Sequence, residues 1–296
     1  MLKFRRITNI GYLYILPIML VLLIVNIYPV IYEIYISLTS YRLGDNTATF
    51  VGLANYARLF LDKRFLNSIF VILKFLLIVI PLELVLGLVI AEIFYHFHHR
   101  KYVLPLLIIP VVVTPVVWGF MFQYMYRADY GLISYFLRLV HLFPGFNLTA
   151  NTGTALWALA IPDILQWTPF VVLILLAGLD SISPSVHESA MIDGASFWHV
   201  FKWIDLPLIR AQIAIVLLFR TVDSIKIFDT IFAMTRGGPG ISSESVSIYL
   251  RLVAFNNREI AYAAAIGLFL VFLGSFFAQI YLKLFKSDTE FLGKQR

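Results

Sequence analysis

The chain has 296 residues, of which 60% are hydrophobic and 14% are charged, and its mean hydropathy is +0.87. A soluble domain cannot bury that much apolar surface, so the composition indicates an integral membrane protein. The absence of cysteine excludes disulfides and thiolate metal sites. The formal net charge of +6 suits contact with anionic lipid headgroups and does not call for a nucleic-acid partner.

The N-terminal segment begins with basic residues, as a signal peptide does. Its apolar stretch is too long for a signal peptide and no small-residue cleavage site follows, so we expect a retained first span. A membrane-spanning helix needs about 20 mainly apolar residues. We therefore predict an all-α integral membrane protein with a single transmembrane domain over residues 1–296 and six spans, at about 11–36, 69–94, 103–126, 155–179, 208–232 and 261–284.

The distribution of Lys and Arg around the spans indicates an orientation. An even number of spans places both termini on one side of the membrane. Basic residues are slightly more numerous on that side and lie there in shorter loops. The positive-inside rule then favours cytoplasmic termini and a cytoplasmic loop at residues 180–207, between the fourth and fifth spans.

This cytoplasmic loop has the signals of two short helices. Ser183 and Pro184 are typical of a helix start, with Ser as the N-cap and Pro at the first helical position. Gly194 can adopt the left-handed conformation that ends a helix. Ser196 can cap a second helix that runs to Ile204. The sequence therefore predicts a helix, a glycine turn and a second helix ahead of the fifth span.

The apolar side chains of the loop allow two interpretations. Some of them could enter a groove on a partner protein. Alternatively, the loop is an amphipathic helix that lies among the lipid headgroups. Periodicity does not distinguish the two for Val186, Met191, Phe197, Trp198, Phe201 and Trp203.

The spacing of the loop favours a partner protein. Glu188-Ser189-Ala190, three residues, Gly194, nine residues and Ile204-x-Leu206-Pro207 resemble the EAA motif of ABC importer permeases, with Ser189 as the one departure. A motif this long, mixed in residue type and fixed in spacing, rarely arises by chance. Three more segments resemble the sugar-permease branch of that family (MalF-like and UgpA-like subunits): FVGLANYARLF at 50–60, DYGLIS at 129–134, and TRGGPG at 235–240 followed by Glu244.

The resemblance implies a type I importer (MetI-like) permease fold with a cytoplasmic coupling helix. Members of this family assemble with a second permease, usually a different homologous chain, and with two ATPase subunits that bind ATP and Mg²⁺. An extracytoplasmic solute-binding protein delivers the solute. The chain itself would bind no cofactor and would lie in a bacterial-type cytoplasmic (inner) membrane.

The resemblance also assigns residues to the contact with the ATPase. Glu188 would lie at the ATPase interface and Gly194 would make the turn between the two helices. The full set of implied coupling residues is Glu188, Ser189, Ala190, Asp193, Gly194, Ile204, Leu206 and Pro207.

Charged residues recur every three positions in the predicted fifth span, at Arg220, Asp223, Lys226 and Asp229. An unpaired charge in the bilayer costs at least ~2.5–3.5 kcal/mol on insertion scales, and alternating signs at i, i+3 allow pairing along one helix face. One interpretation is that Arg220 and Asp223 line a polar translocation path. The other is ion pairing with a partner subunit, or with Glu83 or Lys74 of the second span.

Asp163, Gln166 and Trp167 share one face of the predicted fourth span. An indole beside an amide and a carboxylate suits sugars, because sugar rings stack on the indole and hydroxyls bond to the polar groups. Alternatively, these side chains hold helices together. Trp118 and Gln123 of the third span are candidates of the same kind.

Signatures of catalysis and of nucleotide binding are missing from the sequence: it contains no GxxxxGK[ST], HExxH or GxSxG. The GGPG segment at 237–240 is interpreted as a turn. His96, His98 and His99 could suggest a metal site, but no acidic or further His partner is evident nearby in sequence, so we interpret them as a basic cytoplasmic turn and predict no metal site.

Together these observations predict a transport subunit and not an enzyme. It would form the translocation path for an oligosaccharide or a related polyol-type solute in an ATP-driven importer, while a separate subunit hydrolyses ATP. The alternative is a secondary transporter driven by an ion gradient, with the charged face of the fifth span as its ion relay. An intramembrane enzyme is a weaker alternative, because no catalytic constellation is present.

Overall fold

A computed structural model describes residues 14–139 and 149–286, with the side chains of residues 285 and 286 left out. The described residues are helical apart from turns and one isolated antiparallel bridge between Thr39 and Phe50. The predicted all-α class is therefore confirmed for this part of the chain. The start of the first predicted span, residues 11–13, lies outside the described residues.

Fourteen helices follow one another along the described chain, and short π-helical turns interrupt or extend three of them, at Leu23–Ile27, Phe201–Asp205 and Leu252–Asn256. In chain order they are α1 (Tyr14–Ser37), α2 (Ala54–Leu61), α3 (Lys63–His96), α4 (Arg100–Val112), α5 (Pro115–Met125), α6 (Leu132–Leu139), α7 (Ala155–Asp180), α8 (Pro184–Ile192), α9 (Phe197–Val200), α10 (Leu206–Leu208), α11 (Arg210–Ile225), α12 (Asp229–Met234), α13 (Val246–Arg251) and α14 (Ile260–Lys286).

Four of the described helices, α1, α3, α7 and α14, are long and apolar enough to cross a membrane. They coincide with the first, second, fourth and sixth predicted spans. The third predicted span is instead a pair of helices, α4 and α5, bent by 90°. Pro115 explains the bend, because proline disfavours helical geometry in the residue before it, and Thr114 is accordingly extended, with ψ of 138°.

The fifth predicted span is also divided, into α11 and α12. Helix α11 has 16 residues, which is about 24 Å at ~1.5 Å per residue and less than the ~30 Å of a bilayer core. The break leaves backbone carbonyls without helical partners. Ser245 Oγ donates to the carbonyl of Ile227 at 3.0 Å, and Ser247 Oγ donates to that of Lys226 at 3.1 Å. Serine hydroxyls thus supply hydrogen bonds to the backbone carbonyls at the break.

The described chain forms two compact units, the first within Met1–Lys63 and Leu250–Phe269 and the second within Arg64–Tyr249 and Leu270–Arg296. That the whole chain is one domain stays a prediction.

In the first unit, Glu259 holds the segment after α1 to the start of α14. Arg42 and Arg58 both pair with Glu259. The guanidinium of Arg58 lies 4.0 Å from the centre of the Tyr262 ring, and the Tyr262 hydroxyl donates to Asp62 at 2.7 Å. Two cations therefore converge on the Glu259 carboxylate, and Tyr262 packs against one of them and bonds to Asp62.

In the second unit, α3 and α7 approach closely. A Cβ added to Gly87 would lie 2.4 Å from Val171 Cγ1, so only glycine allows this contact. Small residues at such points let membrane helices pack backbone to backbone. The same contact region continues into a buried apolar cluster that includes Ala91, Val172, Leu175, Leu179 and Val216.

The charges around Glu259 predict a pH-dependent stability. Partial burial raises the pKa of Glu259, but the hydrogen bonds and charges of Arg42 and Arg58 outweigh it and leave this pKa below its ordinary value. Such a group stabilises the fold above its unfolded pKa, about 4.3 for Glu, and this contribution is lost as the pH falls through the lower folded pKa. We expect Glu259→Gln to lower the apparent melting temperature in detergent at pH 7 and to have a progressively smaller effect as the pH falls below the unfolded pKa of about 4.3.

The control for this experiment is Asp45→Asn, which changes an exposed carboxylate of the same unit. A difference between wild type and Glu259→Gln that stays constant from pH 7 to the acid range would show that the ion pairs do not stabilise the fold.

Candidate functional site

A buried ion network joins three helices of the second unit around Arg220 of α11, which is 2% exposed. Its Nε donates to Glu83 Oε2 at 2.6 Å, and its Nη2 donates to Glu83 Oε1 at 2.8 Å. Nη2 also donates to Asp163 Oδ2 at 2.7 Å, and Nη1 donates to Asp223 Oδ2 at 3.2 Å. Glu83 lies on α3 and Asp163 on α7, so one guanidinium connects three helices.

The chemistry of arginine suits this position. A guanidinium is planar, stays charged and offers five N–H donors in a fixed fork that matches a carboxylate in two places. Arg220 uses this fork on Glu83 and has donors left for Asp163 and Asp223. Its Cζ also lies 4.9 Å from the centre of the Trp167 ring, an arrangement that adds a cation–π attraction.

A cavity of about 340 Å³ lies beside this network. Asp163 and Trp167 form part of its wall on α7, and Asp223 forms part of it at the end of α11. The residues of the helix break complete the wall, together with Pro115: Ser224, Lys226, Ile227, Phe228, Asp229 and Thr230. The break between α11 and α12 therefore borders this cavity.

The charge of the cavity wall is unbalanced. Asp163, Asp223 and Asp229 contribute carboxylates, and Lys226 contributes the one ammonium among these lining residues. Carboxylate oxygens accept hydrogen bonds, and the Trp167 ring is a flat apolar face. The wall can thus bind a guest that donates hydrogen bonds and also has an apolar face.

The other residues predicted for the substrate path do not line this cavity. Arg220 is enclosed by its carboxylates. Three others make hydrogen bonds between helices: Trp118 Nε1 donates to the carbonyl of Pro162 at 2.8 Å, Gln166 Nε2 to that of Val113 at 2.8 Å, and Gln123 Nε2 to that of Met234 at 3.3 Å. These bonds are those expected if the polar side chains hold helices together. That Trp118, Gln123 and Gln166 contact substrate stays a prediction.

Of the two second-span residues predicted as partners for the fifth-span charges, Glu83 pairs with Arg220 and Lys74 does not. Glu83 is the main partner of Arg220, whereas the ammonium of Lys74 lies 4.3 Å from the centre of the Phe70 ring. Lys226 lies 3.9 Å from Asp223. Helix α11 ends before Lys226, so the four charges do not form one continuous helical face.

The cytoplasmic loop has the predicted order of helix, glycine turn and helix. Helix α8 ends just before Gly194, whose φ of 74° is left-handed. A short α-helical turn, α9, then passes into the π-helical turn Phe201–Asp205. Ser183 and Ser196 occupy the N-cap positions, but neither side chain makes the capping hydrogen bond that the sequence suggested.

Helix α8 presents most of its surface outward. Among its residues only Ala190 is buried, while Glu188 and Ser189 are exposed and Ile192 is 86% exposed. The remaining residues of the motif differ in their exposure. Asp193 and Pro207 are exposed, and Ile204 and Leu206 are half-buried.

Sequence reasoning missed a polar cluster behind α8. His187 Nε2 donates to Asp205 Oδ1 at 2.8 Å, and Asp205 is 2% exposed. His96 has an acidic partner after all, because Glu92 lies one turn earlier on α3 and its Oε1 is 3.2 Å from His96 Nε2. The i, i+4 spacing of Glu92 and His96 was the available signal. Among the described residues no group of three or more His, Asp or Glu side chains could hold a metal ion.

Comparison with protein families identifies one match. The family model described as "Binding-protein-dependent transport system inner membrane component" matches residues 83–290. Among individual proteins, the trehalose/maltose transport system permease protein MalF of Thermococcus litoralis is 35% identical over 284 residues, covering 96% of this chain and 95% of that protein. The trehalose transport system permease protein SugA of Mycobacterium tuberculosis is 28% identical, covering 94% and 89%.

Solved structures of transport proteins have a similar fold. A bacterial alginate ABC transporter, crystallised in complex with an alginate pentasaccharide-bound periplasmic protein, contains a chain that superposes with a TM-score of 0.83 at 19% identity. The superposition covers 95% of this chain and 96% of that one. At this identity the likeness concerns the fold, which is that of an ABC importer permease.

The Arg220 network yields a prediction on stability. Arg220→Met would leave Glu83 and Asp163 buried without their cation, and breaking a buried pair in this way costs about 3–5 kcal/mol. Glu83→Gln would leave Arg220 paired with Asp163 and should cost less. Unfolding in detergent, followed by circular dichroism, should therefore rank wild type above Glu83→Gln and Glu83→Gln above Arg220→Met.

The matched control is Lys226→Met, which removes a cation whose side chain is 65% exposed. If Arg220→Met destabilised the protein no more than this control, the network would not be what holds the three helices together.

Proposed function

This chain belongs to the family of binding-protein-dependent transport system inner membrane components, and from that premise we propose that it forms the translocation path of an ATP-driven importer for a carbohydrate. As a member of this family it is a multi-pass membrane transport component and not an enzyme. ATP and Mg²⁺ then belong to a separate ATPase subunit, and this chain holds no cofactor of its own.

One observation supports the coupling role above all: α8 is an exposed helix on the loop that leads directly into α11. Its glycine turn and its spacing agree with the EAA motif. A short helix held outside the membrane domain can transmit closure of the ATPases as a lever, whereas a flexible loop would absorb the motion. Glu188 faces the ATPase in this proposal, Gly194 bends the chain, and residues 204–207 pass the movement to the fifth span.

The chemistry of the cavity supports a carbohydrate as the solute. Sugar hydroxyls donate hydrogen bonds to carboxylates, and sugar rings stack on indoles, and the wall offers both at Asp163, Asp223 and Trp167. The relatives named for trehalose and maltose transport support the same class. The spans would bind the solute in this cavity as they switch from outward-open to inward-open.

The proposed assembly contains this chain, a second and different homologous permease, two ATPase subunits and an extracytoplasmic solute-binding protein. The family description supports the binding protein. The bilayer itself covers the apolar residues that α1 exposes. With the loop of α8 at the ATPases, both termini lie in the cytoplasm.

The arrangement of charges does not favour an ion-gradient mechanism. Arg220 is enclosed by Glu83 and Asp163, and α11 ends before Lys226. The two mechanisms differ in their energy source. Uptake in cells that survives deletion of the ATPase but collapses with an uncoupler would favour the ion gradient and contradict the proposal.

The coupling role predicts the effect of two substitutions in the loop. Glu188→Lys reverses the charge at the proposed ATPase contact. Gly194→Pro fixes φ near −65°, whereas the turn needs a φ of 74°. We expect either variant to insert in the membrane but to lower solute uptake per ATP hydrolysed at least several-fold in reconstituted complexes.

Gly274→Ala is the matched glycine control, since a Cβ at this position of α14 meets no atom within 4 Å. The coupling role would be wrong if Glu188→Lys or Gly194→Pro co-purified with the ATPase normally and supported uptake at the wild-type rate.

The cavity predicts which side chains affect transport of the solute. Trp167→Ala removes the stacking surface and Asp223→Asn removes a charged acceptor, so both should raise the half-saturation concentration or lower the maximal rate of uptake. Cells that carry the complete importer can be assayed with radiolabelled trehalose and maltose. Trp157→Ala, which changes a half-exposed indole of the same helix, is the control. Unchanged rates and unchanged preference in both cavity variants would remove the cavity from the path.

A further inference from the structure

We propose that His187 is a positioning residue for transport: its hydrogen bond to Asp205 makes the coupling helix α8 and the base of the fifth span move together. This inference rests on the proposed function, because it concerns how movement of α8 reaches the membrane.

Helix α8 is held weakly by packing. Its one buried residue is Ala190, and Met191 and Ile192 are mostly exposed. A cavity of about 510 Å³ lies behind it, lined by residues of α8, of the end of α3 and of the segment after the glycine turn. Few apolar contacts therefore hold α8 against its neighbours.

The bond to Asp205 supplies the missing constraint. Within the described residues, His187 is the side chain of α8 that hydrogen bonds to another helical segment, while Ser189 bonds to the backbone of its own helix at Ser185. The chain also connects the two sides through the Gly194 turn, where the N–H of Gly194 bonds to the carbonyl of Met191 and the N–H of Ala195 bonds to that of Ala190. These backbone bonds stay within α8 and its turn, so in the described chain the side-chain bond from His187 is the one that ties α8 to the segment before the fifth span.

The π-helical turn places Asp205 toward His187. At its end the N–H of Leu206 bonds to the carbonyl of Phe201, five residues back, so one extra residue is accommodated before α10. Such turns occur mostly as single insertions and often at functional sites. The backbone carbonyl of Asp205 accepts from the N–H of Ile209, at the junction of α10 and α11. Asp205 thus belongs to the base of the fifth span.

The second span also meets this point. The ring of Tyr95 lies 5.6 Å from the ring of His187, centre to centre, and Glu92 and His96 line the same cavity. Tyr95 and Glu92 lie on α3, the helix that carries Glu83 of the Arg220 network. Movement of His187 therefore acts on two of the helices that the network joins.

The experiment measures movement at two places in the assembled complex. The chain has no cysteine, so pairs of spin labels can be introduced directly. One pair, at Ser185 and Ile93, reports on α8, and the other, at Phe219 and Val85, reports on α11; Ser185, Ile93, Phe219 and Val85 are exposed. Distances are measured with and without ATP in wild type, His187→Ala, His187→Gln and the exchange variant His187→Asp with Asp205→His.

We expect ATP to shift both distances in wild type. In His187→Ala the α8 pair should still shift, but the shift of the α11 pair should fall to less than half. His187→Gln retains a donor and should preserve most of the shift, and the exchange variant should restore it. His199→Ala, which removes an exposed histidine of the same loop, should resemble wild type.

The His187 variants test the bond to Asp205, and the wild type tests the coupling role of α8. A full shift of the α11 pair in His187→Ala, or an exchange variant that behaves like His187→Ala, would overturn the role of the bond. If ATP moved neither pair in wild type, the proposed coupling itself would be wrong. Co-purification of the ATPase with every variant shows that assembly is intact.

Discussion

The burial of Arg220 is the constraint on which the second unit depends. A guanidinium inside a bilayer is unstable unless carboxylates surround it, and Glu83, Asp163 and Asp223 come from three helices to do so. None of these helices can shift far without separating a charge from its partner. The network therefore ties α3, α7 and α11 to one another, and the cavity with Trp167 in its wall lies beside this point.

Irregular backbone borders the same cavity at two points. Pro115 follows the bend of the third span, and the fifth span breaks after α11. Within a membrane, unpaired backbone groups are tolerated only where protein or a polar cavity satisfies them. Here Ser245 and Ser247 satisfy the carbonyls of the break. The broken fifth span and the polar cavity thus lie together, with residues of the break in the cavity wall.

Parts of the fold and of the site were predictable from local patterns. Apolar length gave the spans that became α1, α3, α7 and α14, and the EAA spacing gave the helix, the glycine turn and the second helix of the loop. Apolar length did not predict where a span bends or breaks. An apolar stretch of suitable length looks the same whether it is straight or bent, so the 90° turn at Pro115 and the end of α11 at Ile225 were missed. The missed partner of His96 was local, at Glu92.

The sequence by itself determined the class of protein and the place of the helix and glycine turn at 184–194, since hydropathy and motif spacing are properties of neighbouring residues. Only the tertiary structure decided what the polar residues of the spans do. Arg220 meets Asp163 across 57 residues of sequence and Glu83 across 137, and no periodicity connects such positions. The fold pairs Arg220 with Glu83, Asp163 and Asp223, and it places Asp163, Trp167 and Asp223 in the wall of a cavity. The physical reason is that a buried charge takes whichever partners the packing of distant segments brings within hydrogen-bond reach.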